Sequence, residues 1–142
     1  FPELYATVIH PLIEVKTSEA RAILPKDVPL REAVRNWSNL GAFVAALSTG
    51  DLDLLARSMV DTIVEPARRA LIPRFDELKS ASLAAGAIGG GISGSGPSVF
   101  MLSESREIAE FVQEAMNIVY APTGIDFNTY VSRISPHGVR TV

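Results

Sequence analysis

No cysteine occurs anywhere in the chain. That absence excludes disulfide scaffolds, thiolate zinc sites and cysteine nucleophiles together, and it fits a reducing compartment, so the cytoplasm is the expected location. Long hydrophobic runs are also missing. Nothing approaches the roughly 20 apolar residues of a membrane span, and the amino end lacks the basic n-region and apolar core of a signal peptide, so no membrane partner is expected. Basic runs are absent too: 13 Lys and Arg stand against 16 Asp and Glu, for a net charge of −3. That balance argues against nucleic acid as a partner. Histidine is limited to His10, beside Pro11, and His137, in a terminal turn, and neither has the second histidine or paired carboxylate that metal or acid–base chemistry requires. Asp51, Asp53, Asp61 and Glu65 are spread along helix ends, where capping and dipole compensation explain them. No metal ligand and no catalytic residue is expected from these groups.

What is present suits one folded domain. The 142 residues are 47% apolar and 20% charged, and at this length folding buries about 68–70% of the unfolded chain's surface. The chain opens on Phe1 and not Met, in a segment that reads as entry into a strand. A piece of a longer protein is therefore expected.

Glycine is concentrated in one place, with Gly89, Gly90, Gly91, Gly94 and Gly96 inside eight positions, followed by Pro97-Ser98 and the apolar Val99-Phe100-Met101-Leu102. A main chain without side chains lets its N–H groups approach an anion closely and adopt positive φ freely. The run contains a formal G-x-G-x-x-G at Gly89, Gly91 and Gly94, but a dinucleotide fingerprint must open a helix, and here Pro97 and a β-type run follow. A Walker loop would need a Gly-Lys-Ser/Thr ending. A nucleophile elbow would need G-x-S-x-G, which the windows at Ser93 and Ser95 both fail. Two readings remain, a hairpin that lets elements pack closely and an anion-facing loop, and the interleaved serines favour the second.

Tyr5 to Lys16 alternates as a strand interrupted at Pro11, and Thr17 or Ser18 caps a short helix over Ser18 to Leu24, stopped by Pro25. Leu30, Ala33, Val34, Trp37, Leu40, Gly41, Val44 and Leu47 recur at helical spacing, predicting a long helix with this face buried and Gly50 past its end. Asp51 caps an antiparallel helix carrying Leu52, Leu55, Ala56 and Met59. A helix over Phe75 to Ala85 precedes the glycine run, and Val99 to Leu102 is a strand. Ser103 then starts a helix with an apolar stripe of Ile108, Phe111, Val112, Ala115, Met116 and Val119. Phe127 to Ile134 forms a further strand, and Gly138 to Val142 a short edge piece. With the helical insertion after the first strand set aside, the order is β-α-β-β-α-β. That order predicts an α+β fold, a split β-α-β, ferredoxin-like two-layer sandwich with helices on one face of an antiparallel sheet.

Gly91-Ile92-Ser93-Gly94-Ser95-Gly96-Pro97-Ser98-Val99-Phe100 resembles the carboxy-terminal glycine-rich motif of the GHMP small-molecule kinases. Ser18-Glu19-Ala20-Arg21-Ala22-Ile23-Leu24-Pro25 and Glu65-Pro66-Ala67-Arg68, leading to Leu71-Ile72-Pro73, narrow the likeness to the homoserine kinase branch. The resemblance implies a two-domain enzyme that moves the γ-phosphate of ATP to the hydroxyl of L-homoserine, a step towards threonine. Residues 1–142 would be its carboxy-terminal domain, with ATP and Mg2+ held mainly by an amino-terminal kinase domain whose Pro-x-x-x-Gly-Leu-Gly-Ser-Ser loop is not among these residues. Such a piece would be inactive alone. By the same resemblance Arg21 and Arg68 bind the acceptor carboxylate, which a planar guanidinium takes in two parallel hydrogen bonds. Ser93, Gly94, Ser95 and Gly96 would turn near the phosphate and acceptor, and Asn36 and Asn39, where some relatives carry histidines, would line the cleft. Another GHMP kinase and a non-catalytic amino-acid-binding module are the alternatives. A homodimer is left open.

Overall fold

A computed structural model describes residues 2–138, and the edge piece expected beyond Gly138 lies outside the described residues. Four strands form one antiparallel sheet in the order β2-β3-β1-β4: β1 (Tyr5–Pro11), β2 (Gly89–Ile92), β3 (Val99–Ser103) and β4 (Phe127–Arg133). Central β1 pairs with β3 in the register Val8 to Phe100 and with β4 in the register Val8 to Tyr130. Its ladder stops at Pro11, well short of Lys16, because proline has no N–H to donate. The last tie is the Leu12 N–H on the Asp126 carbonyl at 2.7 Å.

Six α-helices and two short 3-10 helices, at Arg69–Leu71 and Ala121–Thr123, complete the order among the described residues: α1 (Thr17–Ala22), α2 (Leu30–Thr49), α3 (Leu52–Ser58) and α4 (Val64–Arg68) between β1 and β2, α5 (Phe75–Ala84) just before β2, and α6 (Arg106–Tyr120) after β3. Helices α5 and α6 cover one face of the sheet. Thr7 and Ile9 of β1 and Val99, Met101 and Ser103 of β3 point there at period two and are fully buried, and the apolar ones pack with Phe75, Leu78, Val112, Met116 and Tyr120. The Thr7 hydroxyl, buried with them, donates to the Ala109 carbonyl at 2.8 Å. Helices α2 and α3 lap the opposite face, where Ala46 and Leu55 meet Leu4 and Leu102 in a second core.

Local departures from the sequence expectation have local causes. Lys16, not a hydroxyl residue, precedes α1 and provides no side-chain cap. The α6 cap is Ser105, whose hydroxyl accepts from the Ile108 N–H at 3.2 Å. Ser103 is the buried last residue of β3 instead. Ala109, Val112, Met116 and Tyr120 of α6 turn inward, Ile108 and Val119 flank them partly buried, and Phe111 is exposed. The expected apolar face of α2 is likewise mostly outside: Leu30, Val34, Trp37, Leu40 and Val44 are exposed, and the row Asn36, Asn39, Phe43 and Ala46 turns towards the body of the domain. Gly50 ends α2 at φ +74, as its position after the periodic pattern implied.

Candidate functional site

The glycine run is a strand and a turn, each using glycine for a different reason. In β2 the run lies against β3, with Gly90 opposite Met101 and Gly91 opposite Phe100. A Cβ on Gly90 would stand 2.0 Å from the Phe100 carbonyl oxygen, and one on Gly91 would stand 2.7 Å from Glu65 Oε2. Here glycine serves close approach. In the turn it serves conformation, with Gly94 at φ +61 and Gly96 at φ +87, followed by a cis Gly96–Pro97 bond. Ser93 N–H donates to the Ser98 carbonyl at 2.8 Å and Gly96 N–H to the Ser93 carbonyl at 3.0 Å. The N–H groups of Gly94 and Ser95 have no acceptor among the described residues.

Arg68, at the end of α4, ties this turn to α1. Its Nε donates to the Ala20 carbonyl at 3.0 Å and its Nη1 to the Gly94 carbonyl at 2.9 Å. Two of the five guanidinium N–H groups are thereby spent on the protein, and Nη2 is left over. Arg21 follows Ala20 on α1 and is exposed. Of the two arginines expected from sequence, Arg68 is thus tied to the turn, a structural task that sequence did not disclose, and Arg21 is the residue after the Ala20 carbonyl that Arg68 binds. At the exit of the turn, His10 Nδ1 and Ser98 Oγ are hydrogen-bonded at 2.8 Å.

Behind the turn, between α2 and β2, an open cleft of about 400 Å³ is lined by Asn36, Asn39, Asp61, Glu65, Gly91 and Gly94 among others. Both asparagines border it and both hold its wall. Asn36 Nδ2 donates to Asp61 Oδ1 at 3.0 Å, while Asn36 Oδ1 accepts from the Thr62 N–H and hydroxyl at 3.1 and 2.9 Å. Asn39 Nδ2 donates to the Val60 carbonyl at 2.7 Å.

Asp61 in turn organises α4. Its carboxylate accepts the N–H groups of Ile63, Val64 and Glu65 at 2.8, 2.9 and 3.1 Å. Partial burial pushes its pKa up, but these N–H donors and the Asn36 amide outweigh that and hold the carboxyl below its usual range. Glu65, one turn on, pairs with Lys79 of α5 at 2.5 Å with both side chains largely buried. Gly91 admits that carboxylate, so the pair sets how closely α4, α5 and β2 approach. Sequence reasoning assigned Asp61 and Glu65 to helix ends and passed over Lys79. Only the fold brings Lys79, fourteen residues along the chain, to its partner.

No three His, Asp or Glu side chains converge as metal ligands among the described residues. No described helix is long and apolar enough to cross a membrane.

Comparison with known proteins gives concordant results. The family model described as "GHMP kinases C terminal" matches residues 31–122. A homoserine kinase of Chlorobaculum tepidum is 45% identical over 141 residues, covering 98% of this chain and 44% of that protein. The chain therefore spans less than half the length of this relative. A crystal structure of homoserine kinase from Cytophaga hutchinsonii superposes with a TM-score of 0.89 at 51% identity, covering 92% of this chain and 42% of the other. Phosphomevalonate kinase of Streptococcus pneumoniae superposes at 0.70 with 16% identity over 94% of this chain and 40% of its own, a likeness of fold alone.

Proposed function

The chain belongs to the GHMP kinase family as its carboxy-terminal domain, and from that membership we propose that it is the acceptor-holding half of an ATP-dependent homoserine kinase. In the reaction a new bond forms between the acceptor hydroxyl oxygen and the γ-phosphorus of ATP. The bond from that phosphorus to the bridging oxygen breaks, ADP leaves, and the hydroxyl proton is released. Such transfer demands positioning and charge stabilisation more than covalent help, so the work divides naturally between two domains. ATP and Mg2+ are assigned to the amino-terminal kinase domain of the whole protein, and L-homoserine to the junction with this one.

The observation that carries the proposal is the position of Arg68. By binding the Ala20 and Gly94 carbonyls it bridges α1, on which Arg21 is the next residue, to a turn whose Gly94 and Ser95 N–H groups are unspent. Guanidinium groups suit the acceptor's carboxylate, and charge-assisted hydrogen bonds of this type contribute about 1.5–3 kcal/mol each. Unspent amides suit the oxygens of a phosphoryl group in transit. Asn36 and Asn39 line the wall behind the turn and are given no part in the chemistry.

The test is an ADP-release assay on the full-length protein with homoserine, mevalonate, phosphomevalonate and simple amino alcohols as acceptors. Homoserine should give the highest kcat/KM by at least about tenfold, a difference of about 1.4 kcal/mol. Equal turnover of these acceptors, or a preference for mevalonate or its phosphate, would overturn the assignment.

A further inference from the structure

Helix α4, which ends on Arg68, contains no fully buried residue. A helix of five residues is too short to persist by propensity, and without an apolar anchor it is placed by polar ties. Three such ties occur among the described residues. Asp61 accepts the N–H groups of Ile63, Val64 and Glu65 at its start, and Arg68 donates to the Ala20 and Gly94 carbonyls at its end. Between them, Glu65 Oε1 takes Lys79 Nζ at 2.5 Å. That middle tie reaches the core. Lys79 stands on α5, whose Phe75, Leu78 and Ser82 are buried, and its ammonium lies 5.9 Å from the centre of the Phe75 ring. The side chains of Lys79 and Glu65 are only 21% and 17% exposed. An ion pair so enclosed adds little net stability over an apolar pair of the same size, and its use here is to fix one arrangement of α4 on α5.

Given the function proposed above, on which this inference rests, we infer that Glu65 and Lys79 are positioning residues for the acceptor. The pair sets where Arg68 presents its unspent Nη2, and through Arg68 it sets how well the acceptor's carboxylate is held. Glu65 and Arg68 are three places apart on α4, about 60° around its axis, so pinning the first aims the second. Strand β2 is shaped for the same carboxylate. A Cβ on Gly91 would stand 2.7 Å from Glu65 Oε2 and meets no other residue within 4 Å. Glycine at this position therefore makes room for Glu65 to reach Lys79. The two carbonyl ties of Arg68, at 3.0 and 2.9 Å, hold only while the end of α4 stays in place. A displacement of about 1 Å would break them and turn Nη2 away from the acceptor, and misplacement of that size is enough to cost an order of magnitude or more in rate.

The experiment measures kcat/KM for homoserine and for 3-amino-1-propanol, the same acceptor without its carboxylate, in the full-length protein. The wild type is compared with Lys79→Met, Gly91→Ala, Arg68→Ala and the double variant of Lys79→Met with Arg68→Ala. A loss of folded protein lowers both acceptors alike and cancels in their ratio, whereas misplacing Arg68 lowers homoserine selectively. Lys79→Met leaves an enclosed carboxylate unpaired and lowers stability. Gly91→Ala keeps both charges and displaces only the end of a flexible side chain, so it carries the test if Lys79→Met does not fold. The ratio of homoserine to aminopropanol should fall about tenfold in Lys79→Met and about threefold in Gly91→Ala. In the double variant it should fall no further than in Arg68→Ala, because the pair acts through that arginine. An unchanged ratio in Lys79→Met, or in Gly91→Ala where the first does not fold, would overturn the inference while leaving the proposed function standing. So would a double variant whose loss is the product of the two single losses. An unchanged ratio in Arg68→Ala would instead remove the carboxylate from Arg68, and the proposed function's grip and this inference would fall together.

Discussion

Asp61 accepts from three consecutive main-chain N–H groups and from Asn36, and its carboxyl is held below the usual range by them. A folded-state pKa below the unfolded one contributes stability above the unfolded carboxylate value, about 3.9, and loses it as pH falls through the folded value. Asp61→Asn should therefore lower the urea midpoint at pH 7 and leave it nearly unchanged at pH 2, so that acid sensitivity shrinks in the variant. Equal midpoint losses at both pH values would contradict this account. At this scale the sequence was legible in kind and silent on partners. Arg21 and Arg68 could be singled out by residues resembling a family motif, but the ties from Arg68 to the Ala20 and Gly94 carbonyls depend on backbone positions that no side-chain pattern encodes. The Glu65–Lys79 pair was invisible for the same reason.

Among the elements, the glycine run separates two requirements that its composition merges. Gly90→Ala should prevent normal folding of the β2–β3 hairpin, because its methyl group would collide with the Phe100 carbonyl at a distance no rotamer can relieve. Gly94→Ala meets nothing within 4 Å and costs only the strain of positive φ, about 1 kcal/mol. A thermal melt of both variants should show a large loss for the first and a few degrees for the second, and equal losses would contradict the division of roles. Strand β2 illustrates what periodicity cannot read. Gly89–Ile92 has no strand propensity, and it was implied only by the order of elements around it. The apolar face of α2 shows the opposite limit. Its spacing predicts the helix, and burial within this chain does not follow from it, because the row that faces the domain is Asn36, Asn39, Phe43 and Ala46.

For the molecule as a whole, the split β-α-β order was readable because β1, β3, α5 and α6 each carry apolar patterns that point at one shared core. The second core, where α2 and α3 lap the other face of the sheet, was not readable, since nothing in the insertion's sequence says which face it returns to. The function proposed above is at this scale a division of labour, with the acceptor's carboxylate assigned to this chain and the nucleotide to the rest of the protein. Arg21 isolates that proposal better than Arg68, because it is exposed and makes no side-chain hydrogen bond or ion pair among the described residues, so its loss should leave the cleft intact.

The decisive measurement is the ratio of kcat/KM for homoserine to that for 3-amino-1-propanol, which lacks only the carboxylate, in the full-length wild type and in Arg21→Ala. Loss of one charge-assisted contact of about 1.5–3 kcal/mol predicts that the variant's ratio falls by roughly 10- to 150-fold, with the aminopropanol rate nearly unchanged. An unchanged ratio would contradict the account, because the carboxylate would then be held by something other than this domain's exposed arginine.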